Sequence, residues 1–420
     1  MTKINIPESE QPRIVIIGGG FAGLELAKQL VKSDYQIVLV DKNNYHQFQP
    51  LFYQVAMSGL EPSSIVFPIR KMFRPYRNFF FRVTEVTRID TDRQQLDTPL
   101  GEINYDYLVI ATGADTNFYN NKQLAAKCLP MKSVSEALRL RNLILSDFEK
   151  ALSKTDFDER QGYLDIVIVG GGATGVEVAG ALAEMRKYVI PKEYKEINHR
   201  EIDIYLVQSG DRLLNGMSEE ASAKALTFLQ ELEVKVILNN RVTQVEEDYV
   251  EMKDGTRIRA RKVIWAAGIR GNQIAGLPEE SATYGNRYTV NAFNEIKGAK
   301  NVFAIGDIAY METENFPKGH PQVAQVAIQM GKNVAQNFKN QKRNKATRPF
   351  VYKDLGAMAT VGRHLAVADL PKYKTQGTFA WIIWLVVHLF ALIGVKNKLF
   401  VFINWVWNYV TYDKTQRLII

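Results

Sequence analysis

Two glycine clusters, each closing an apolar β-branched run, are the residues of this chain best suited to chemistry. The first reads Arg13-Ile-Val-Ile-Ile-Gly18-Gly-Gly20-Phe21-Ala22-Gly23 and the second Asp165-Ile-Val-Ile-Val-Gly170-Gly-Gly172-Ala-Thr174-Gly175. A G-x-G-x-x-G run alone also marks ordinary tight turns. It gains meaning from a strand pattern before it and a helical stretch after it, here Leu24 to Val31 and Val176 to Arg186. In that context the glycines allow a tight turn, bring backbone close to a pyrophosphate and aim a helix N-terminus at its phosphates. Two such cradles about 150 residues apart imply two dinucleotides in one protein. The economical reason to hold two is to pass a hydride between them.

Other residues fall where such ligands need them. Asp41, 23 residues after Gly18, ends the apolar run Gln36-Ile-Val-Leu-Val40 and is followed by Lys42. A carboxylate there accepts both ribose hydroxyls of an adenosine moiety. Ala111-Thr112-Gly113 follows the apolar run from Tyr107, and Gly306-Asp307 follows Asn301-Val-Phe-Ala-Ile. Small residues at strand ends let a flat cofactor lie against the backbone, and an acid suits ribitol hydroxyls. Each short motif is weak alone; their order along the chain is far less accidental.

The elements that must position these residues repeat at the scale of a domain. From Arg13 to Ala114 the pattern is strand, helix, strand. From Leu164 it recurs as fingerprint, helix, a strand at Ile202 to Val207, then Val263-Ile-Trp-Ala-Ala267-Gly268. Such alternation predicts an α/β fold with two doubly wound, Rossmann-like parallel sheets. Between the halves, Ser133 to Lys154 reads as helix and Thr155 to Gly162 as a polar connector. The strand before Gly306 comes too late for a third sheet, so the chain is expected to return there to the first domain.

At 420 residues, two or three domains are expected. A hydrophobic content of 46%, a charged content of 23% and a net charge of +8 fit a globular protein, with either a solvated basic surface or a basic face toward anionic lipid. No nucleic-acid motif is present, so nucleic acid is not expected as a partner. Cys128, the only cysteine, excludes an intrachain disulfide and a zinc or iron–sulfur cluster, and no metal is expected. Met1 to Pro12 is polar with no apolar core, which argues against a secretory signal and for a reducing compartment.

The last fifty or so residues change character. Phe379 to Val395 is 17 residues long with His388 its one strongly polar member, and Leu399 to Val410 is dense in Phe, Trp and Tyr. In a helix Asn404, Asn408 and Thr411 share one stripe. From Leu370 to Ile420 there are six Lys or Arg and one acid, Asp413. A buried core helix with its partner and a membrane-interface pair both fit the pattern; lysine flanks and aromatic density favour the interface. A 17-residue helix reaches only about 25 Å against the roughly 30 Å hydrocarbon core, so one-leaflet attachment is expected, with the polar stripe suited to lying in the interface.

The order of fingerprint, Ala-Thr-Gly, second fingerprint and Ile-Gly-Asp resembles the two-dinucleotide flavoprotein disulfide-reductase superfamily. Within it the chain is most similar to type II NADH:quinone oxidoreductases, through Asn44-Tyr-His-Gln-Phe-Gln-Pro-Leu-Phe-Tyr-Gln-Val-Ala56, Val263 to Asn272, and Ala324-Gln325-Val-Ala327-Ile-Gln329. The likeness spans nearly the whole chain, the aromatic tail included. Members that work through redox cysteines, including sulfide:quinone oxidoreductases, are excluded because Cys128 stands alone.

The resemblance implies non-covalent FAD at the first cradle, with Asp307 on the ribitol, and NADH or NADPH at the second. Electrons then pass to a quinone without proton pumping. Gln325 and Gln329 would lie near the isoalloxazine and line the quinone entrance; as i and i+4 they share a helical face, though ordinary surface amides would also fit. Glu177 would sit near the nicotinamide, or else simply complement the helix dipole. His46 is expected to make a structural hydrogen bond. NADH-preferring members end the second strand of the nucleotide domain in an acid, whereas this chain has Gln208, with Arg212 near enough in sequence to reach a phosphate.

The expected division is 1–115 for FAD, 116–290 for NAD(P)H, 291–365 returning to the FAD domain and 366–420 as a membrane-anchoring helical segment. The family also implies a homodimer, attached as a monotopic protein to the cytoplasmic face of a bacterial inner membrane. A soluble NAD(P)H reductase of a protein acceptor such as ferredoxin or rubredoxin, and a low-turnover flavin redox sensor, remain as alternative readings.

Overall fold

The computed structural model describes residues 3–412, 414 and 416–419; Asp413 lies outside them. The chain folds into two compact units: residues 1–46, 67–115 and 269–354, and residues 47–66, 116–268 and 355–420.

The first unit is built on a five-stranded sheet in the order Val302–Ala304, Tyr107–Ile110, Arg13–Ile17, Gln36–Asp41, Phe79–Val83. Every pairing in it is parallel, with Ile14 opposite Ile37 and Tyr107. Parallel strands covered on both faces need apolar side chains on both. Ile14, Val15, Ile16, Val38 and Leu39 are accordingly fully buried, each contributing roughly 1.5–3 kcal/mol of transfer free energy. The late strand Val302–Ala304 pairs with Tyr107–Ile110, so the chain does return to the first sheet.

The second unit repeats the plan with four parallel strands, Lys235–Ile237, Ile204–Val207, Ile166–Val169 and Lys262–Trp265. An antiparallel three-stranded sheet, Ala357–Gly362, Leu365–Asp369 and Lys374–Gln376, precedes two helices, Gly377–Ala391 and Val395–Thr411.

The unit boundaries differ from the division expected above. Residues 269–290 belong with the first unit, where Ile274 N–H donates to the Tyr288 hydroxyl and Thr112 Oγ1 donates to Asn272 O at 2.7 Å. The segment Gln47–Val66 belongs with the second, where Gln47 Oε1 accepts from Val134 N and Trp405 Nε1 donates to Gln54 Oε1. The helix Val134–Leu152 starts at Ser133 with a reciprocal capping box to Glu136. Thr155–Gly162 is not an open connector: Asp156 caps a short helix, Phe157–Leu164.

The C-terminal helices also correct one expectation. Leu392 to Gly394 break the apolar run, leaving a 15-residue helix of about 22 Å. No helix of the described residues is long and apolar enough to cross a membrane. The polar stripe faces the second unit's own core and not an interface: Asn404 Nδ2 donates to Glu61 and Asn408 Nδ2 to Gly59 O at 3.0 Å. Thr411 Oγ1 donates instead to Trp407 O within its own helix. The outward face is apolar, with Phe390, Val395 and Val410 exposed at 72%, 84% and 72%.

Candidate functional site

Each cradle grows from its sheet in the same way. At the end of Arg13–Ile17 the chain turns through Gly18 at φ +104°, where a Cβ would lie 2.3 Å from Ala111 O. At the end of Ile166–Val169 it turns through Gly170 at φ +111°, where a Cβ would lie 2.5 Å from Ala266 O. Only glycine fits either place. Gly20 and Gly172 differ: a Cβ on either would meet open space. Nothing in the protein requires glycine at these helix N-caps, so their bareness suits a ligand brought up against the helices Phe21–Leu30 and Ala173–Tyr188. Ala22, Gly23, Thr174 and Gly175 lie in the first turns of these helices.

The strand beside each fingerprint supplies the matching side chain. Asp41 Oδ2 accepts from Gly19 N at 2.6 Å and Oδ1 from Asn43 N at 2.7 Å. Burial pushes its pKa up, while these two bonds and nearby Lys42 pull it down. Gln208 Oε1 accepts from Gly171 N at 2.9 Å, so its carbonyl is fixed and its NH₂ is left as a donor. Arg212 is not placed as its sequence proximity suggested; its guanidinium donates to Met217 O and Asn215 O of its own loop.

The other predicted residues of the first unit gather at its cradle. Thr112 and Gly113 are held by Asn272, whose Nδ2 donates to Thr112 O and whose N donates to Gly113 O. Gly306, at φ +75°, would place a Cβ 3.1 Å from Ala22 and 3.3 Å from Ala327. The Asp307 turn and the helix Ala324–Lys342 therefore pack on the first fingerprint. Gln322 Nε2 donates to Asp307 O at 2.8 Å. Gln325 lies in the first turn of that helix, while Gln329 makes a two-point pairing with the Lys353 backbone, at 2.9 Å in each direction. His46 Nδ1 donates to Gly19 O at 3.0 Å, and burial pushes its pKa down to about 4, so it is a neutral strut. Cys128 is buried in the second unit's core and its thiol is pushed up to about 12.

In the second unit, Tyr119 Oη donates to Ala267 O at 2.6 Å beside Gly268, which has φ +119°. A cavity of about 420 Å³ opens against the helix Ala173–Tyr188. Its wall includes Glu177, Tyr53, Gln54, Thr360, Trp381 and Trp405. Gly180 lets this helix approach the strand Ala357–Gly362, since a Cβ there would overlap Val361 O. That approach sets Thr360 beside Glu177. Desolvation pushes Glu177 up to about 8, against a backbone hydrogen bond from Thr360 that lowers it, so the group carries a proton at neutral pH. Burial likewise pushes the Tyr53 hydroxyl well above its ordinary value, with the charge of Glu177 adding to it. Tyr53 could have been suspected from Phe52-Tyr53-Gln54 in the quoted segment; the cavity itself has no signature in sequence.

A family model for pyridine nucleotide-disulphide oxidoreductases matches residues 12–331, and one for the NDH2 C-terminal domain matches residues 355–411. The chain is 36% identical to a type II NADH:quinone oxidoreductase of Mycobacterium tuberculosis, over 98% of this chain and 91% of that one. It belongs to the type II NADH:quinone oxidoreductases. The enzyme of that family from Haemophilus influenzae is 30% identical over 87% of this chain and 90% of its own. The NDH2 structure from Plasmodium falciparum in complex with NADH superposes with a TM-score of 0.88, covering 98% of this chain and 100% of that chain. Its 22% identity speaks for the fold alone.

Proposed function

We propose that this family member holds FAD at the first cradle, oxidises NADH held at the second and reduces a membrane quinone without pumping protons. The observation that carries the reading is the pair of cradles built on one plan, each with a bare helix N-cap and a side chain tied to the fingerprint backbone. The first cradle fits an FAD: the space over Gly20 admits a pyrophosphate, Asp41 is fixed to receive ribose hydroxyls, and Asp307 sits on a turn packed against Ala22. When bound, the flavin supplies hydride acceptance and two-electron transfer.

The chain's own contribution is position and protons. The helix Phe21–Leu30 directs its first-turn N–H groups at one pyrophosphate, and Ala173–Tyr188 directs its own at the other. Gln208 holds the adenosine ribose of the reduced nicotinamide cofactor through its NH₂. Without a carboxylate at that position, a 2′-phosphate meets no charge repulsion, and NADPH is accepted within roughly tenfold of NADH. Gln325 serves the flavin at the first cradle, as the family resemblance implies; Gln329 holds the Lys353 segment in place. Glu177, protonated at pH 7, supplies a proton to a quinone oxygen in the apolar cavity.

The exposed apolar faces of Gly377–Ala391 and Val395–Thr411 support attachment to one leaflet and argue against a soluble reductase of a protein acceptor. The cytoplasmic face of a bacterial inner membrane and a homodimer complete the proposal. The test is stopped-flow reduction of the bound flavin by NADH, followed by reoxidation with a short-chain quinone. Rapid reduction without quinone-dependent reoxidation would favour a redox sensor. Replacing Phe390 and Val410 with Glu should release the protein from vesicles while NADH oxidation with a soluble acceptor persists.

A further inference from the structure

On the helix Ala173–Tyr188 the residues Glu177, Ala181, Glu184 and Tyr188 all line the cavity. Their spacing of four, three and four places them in one stripe, with the two carboxylates on turns about 10.5 Å apart along the axis. Between them on this stripe stands Ala181, whose methyl group also borders the cavity. The two ends differ in character. Glu177 lies against Thr360 in a desolvated pocket. Glu184, half-buried like Glu177, has a cation beside it: its Oε1 accepts from the Arg363 backbone N–H, and neighbouring Lys414 donates to Ala181 O at 3.2 Å. A Cβ on Gly362 would lie 3.0 Å from Glu184 Oε1, so the carboxylate has been brought in tightly.

We propose that Glu184 is the second carboxylate of a proton relay, taking protons from water and returning them through the cavity to Glu177. The proposal rests on the reading of Glu177 as the proton source for the quinone. NADH supplies two electrons and one proton, whereas the quinone takes up two electrons and two protons. One further proton must therefore enter from water in each turnover. Glu177 gives it to the quinone oxygen and is left as a carboxylate, which its desolvated surroundings disfavour. A proton taken up from solvent at Glu184 is passed through the cavity to Glu177.

Hydrogen-bonded steps of roughly 2.8 Å through about three waters cover the distance, and a cavity of about 420 Å³ has room for them at about 30 Å³ each. The polar partners such waters need are Gln54, Thr360, Lys414 and the tyrosine hydroxyls on the wall. The groups facing Glu184 are Arg363 and Lys414 from the C-terminal segments, Tyr188 on its own helix, Tyr412 after the last helix, and Tyr53 and Glu177 from the cavity side. The Lys414 ammonium and the Arg363 backbone N–H are the groups that face the Glu184 carboxylate directly.

The test uses the full-length FAD-loaded protein, with Glu184→Gln, Glu184→Asp and Glu177→Gln measured for flavin reduction by NADH and for steady-state reduction of a short-chain quinone from pH 6 to 9. In Glu184→Gln, quinone reduction should fall about threefold at pH 6 and more than about tenfold at pH 8.5, because protons become scarce without the relay. Flavin reduction should match wild type, and Glu184→Asp should recover most of the loss. A Glu184→Gln loss that is equal at every pH would mean a structural role and would overturn the proposal. So would a wild-type profile in that variant while Glu177→Gln collapses. If Glu177→Gln itself reduces quinone normally, the reading of Glu177 fails first. Flavin content and thermal melting of each variant separate misfolding from these outcomes.

Discussion

The two cradles match almost position for position, and they part at the side chain that holds the fingerprint loop. In the first, Asp41 accepts from Gly19 N; in the second, Gln208 accepts from Gly171 N. The backbone is fixed equally well by a charged or a neutral oxygen. What differs is the chemistry offered to the ligand: the remaining lone pairs of a carboxylate that accepts, or an amide NH₂ that donates. Fold and specificity are thus separable at this position. A similar contrast appears at the feet of the fingerprint strands. Arg13 starts the first strand with Asp106 accepting its N–H at 2.6 Å, near solvent. Asp165 holds the equivalent place in the second, buried, its pKa pushed up to about 7 by desolvation against a bond from Asp203 N.

The strongest way to test the equivalence of the cradles is to block each in turn. Gly18→Val and Gly170→Val both place side chains on a carbonyl, at a φ that valine avoids. Gly18→Val should yield protein without yellow flavin, and Gly170→Val a yellow protein whose flavin is reduced by dithionite but not by NADH. Equal loss of flavin in both would show that the second cradle also serves the first.

The difference between Asp41 and Gln208 is sharpened by exchanging charge. Asp41→Ala removes hydrogen bonds to a charged group, about 1.5–3 kcal/mol, and should weaken FAD retention by about one to two orders of magnitude. Gln208→Glu should raise the NADH to NADPH ratio of kcat/KM by about one to two orders of magnitude. A wild type that already rejects NADPH by about a thousandfold would show that Gln208 is not the discriminating residue.

The smallest effect concerns the strand feet. Because folding raises the Asp165 pKa to about 7, its contribution to stability is fully present below the unfolded value near 4 and is lost as pH rises toward 7. Lys262, pushed down to about 8 by burial against the pull of Asp147, has the opposite sign, losing stability as pH falls from about 10.5 toward 8. Asp165→Asn should therefore flatten the fall in melting temperature between pH 5 and 7.5, and an unchanged slope would place the titration elsewhere.

What the sequence determined by itself was local. The fingerprints, their flanking strands and helices, the return at Gly306 and the isolation of Cys128 follow from residue types at fixed spacing, because turns, strand alternation and glycine geometry are decided within a few residues. Its errors arose where a local pattern admits two environments. The stripe Asn404, Asn408 was legible, but a helical period does not say which side the protein lies on. Tertiary bonds to Glu61 and Gly59 decided that, and turned the apolar face outward. Arg212 stood close to Gln208 in sequence, yet its own loop carbonyls claimed the guanidinium. The residues 269–290 changed units because Asn272 and Tyr288 make bonds that the local pattern does not announce, Asn272 to Thr112 far back along the chain. The cavity that joins Glu177 to Glu184 likewise exists only once Gly180 lets a distant strand approach the helix. Burial, and with it the proton affinity of Glu177, is a property of the neighbours that folding brings in, and no short stretch of sequence specifies them.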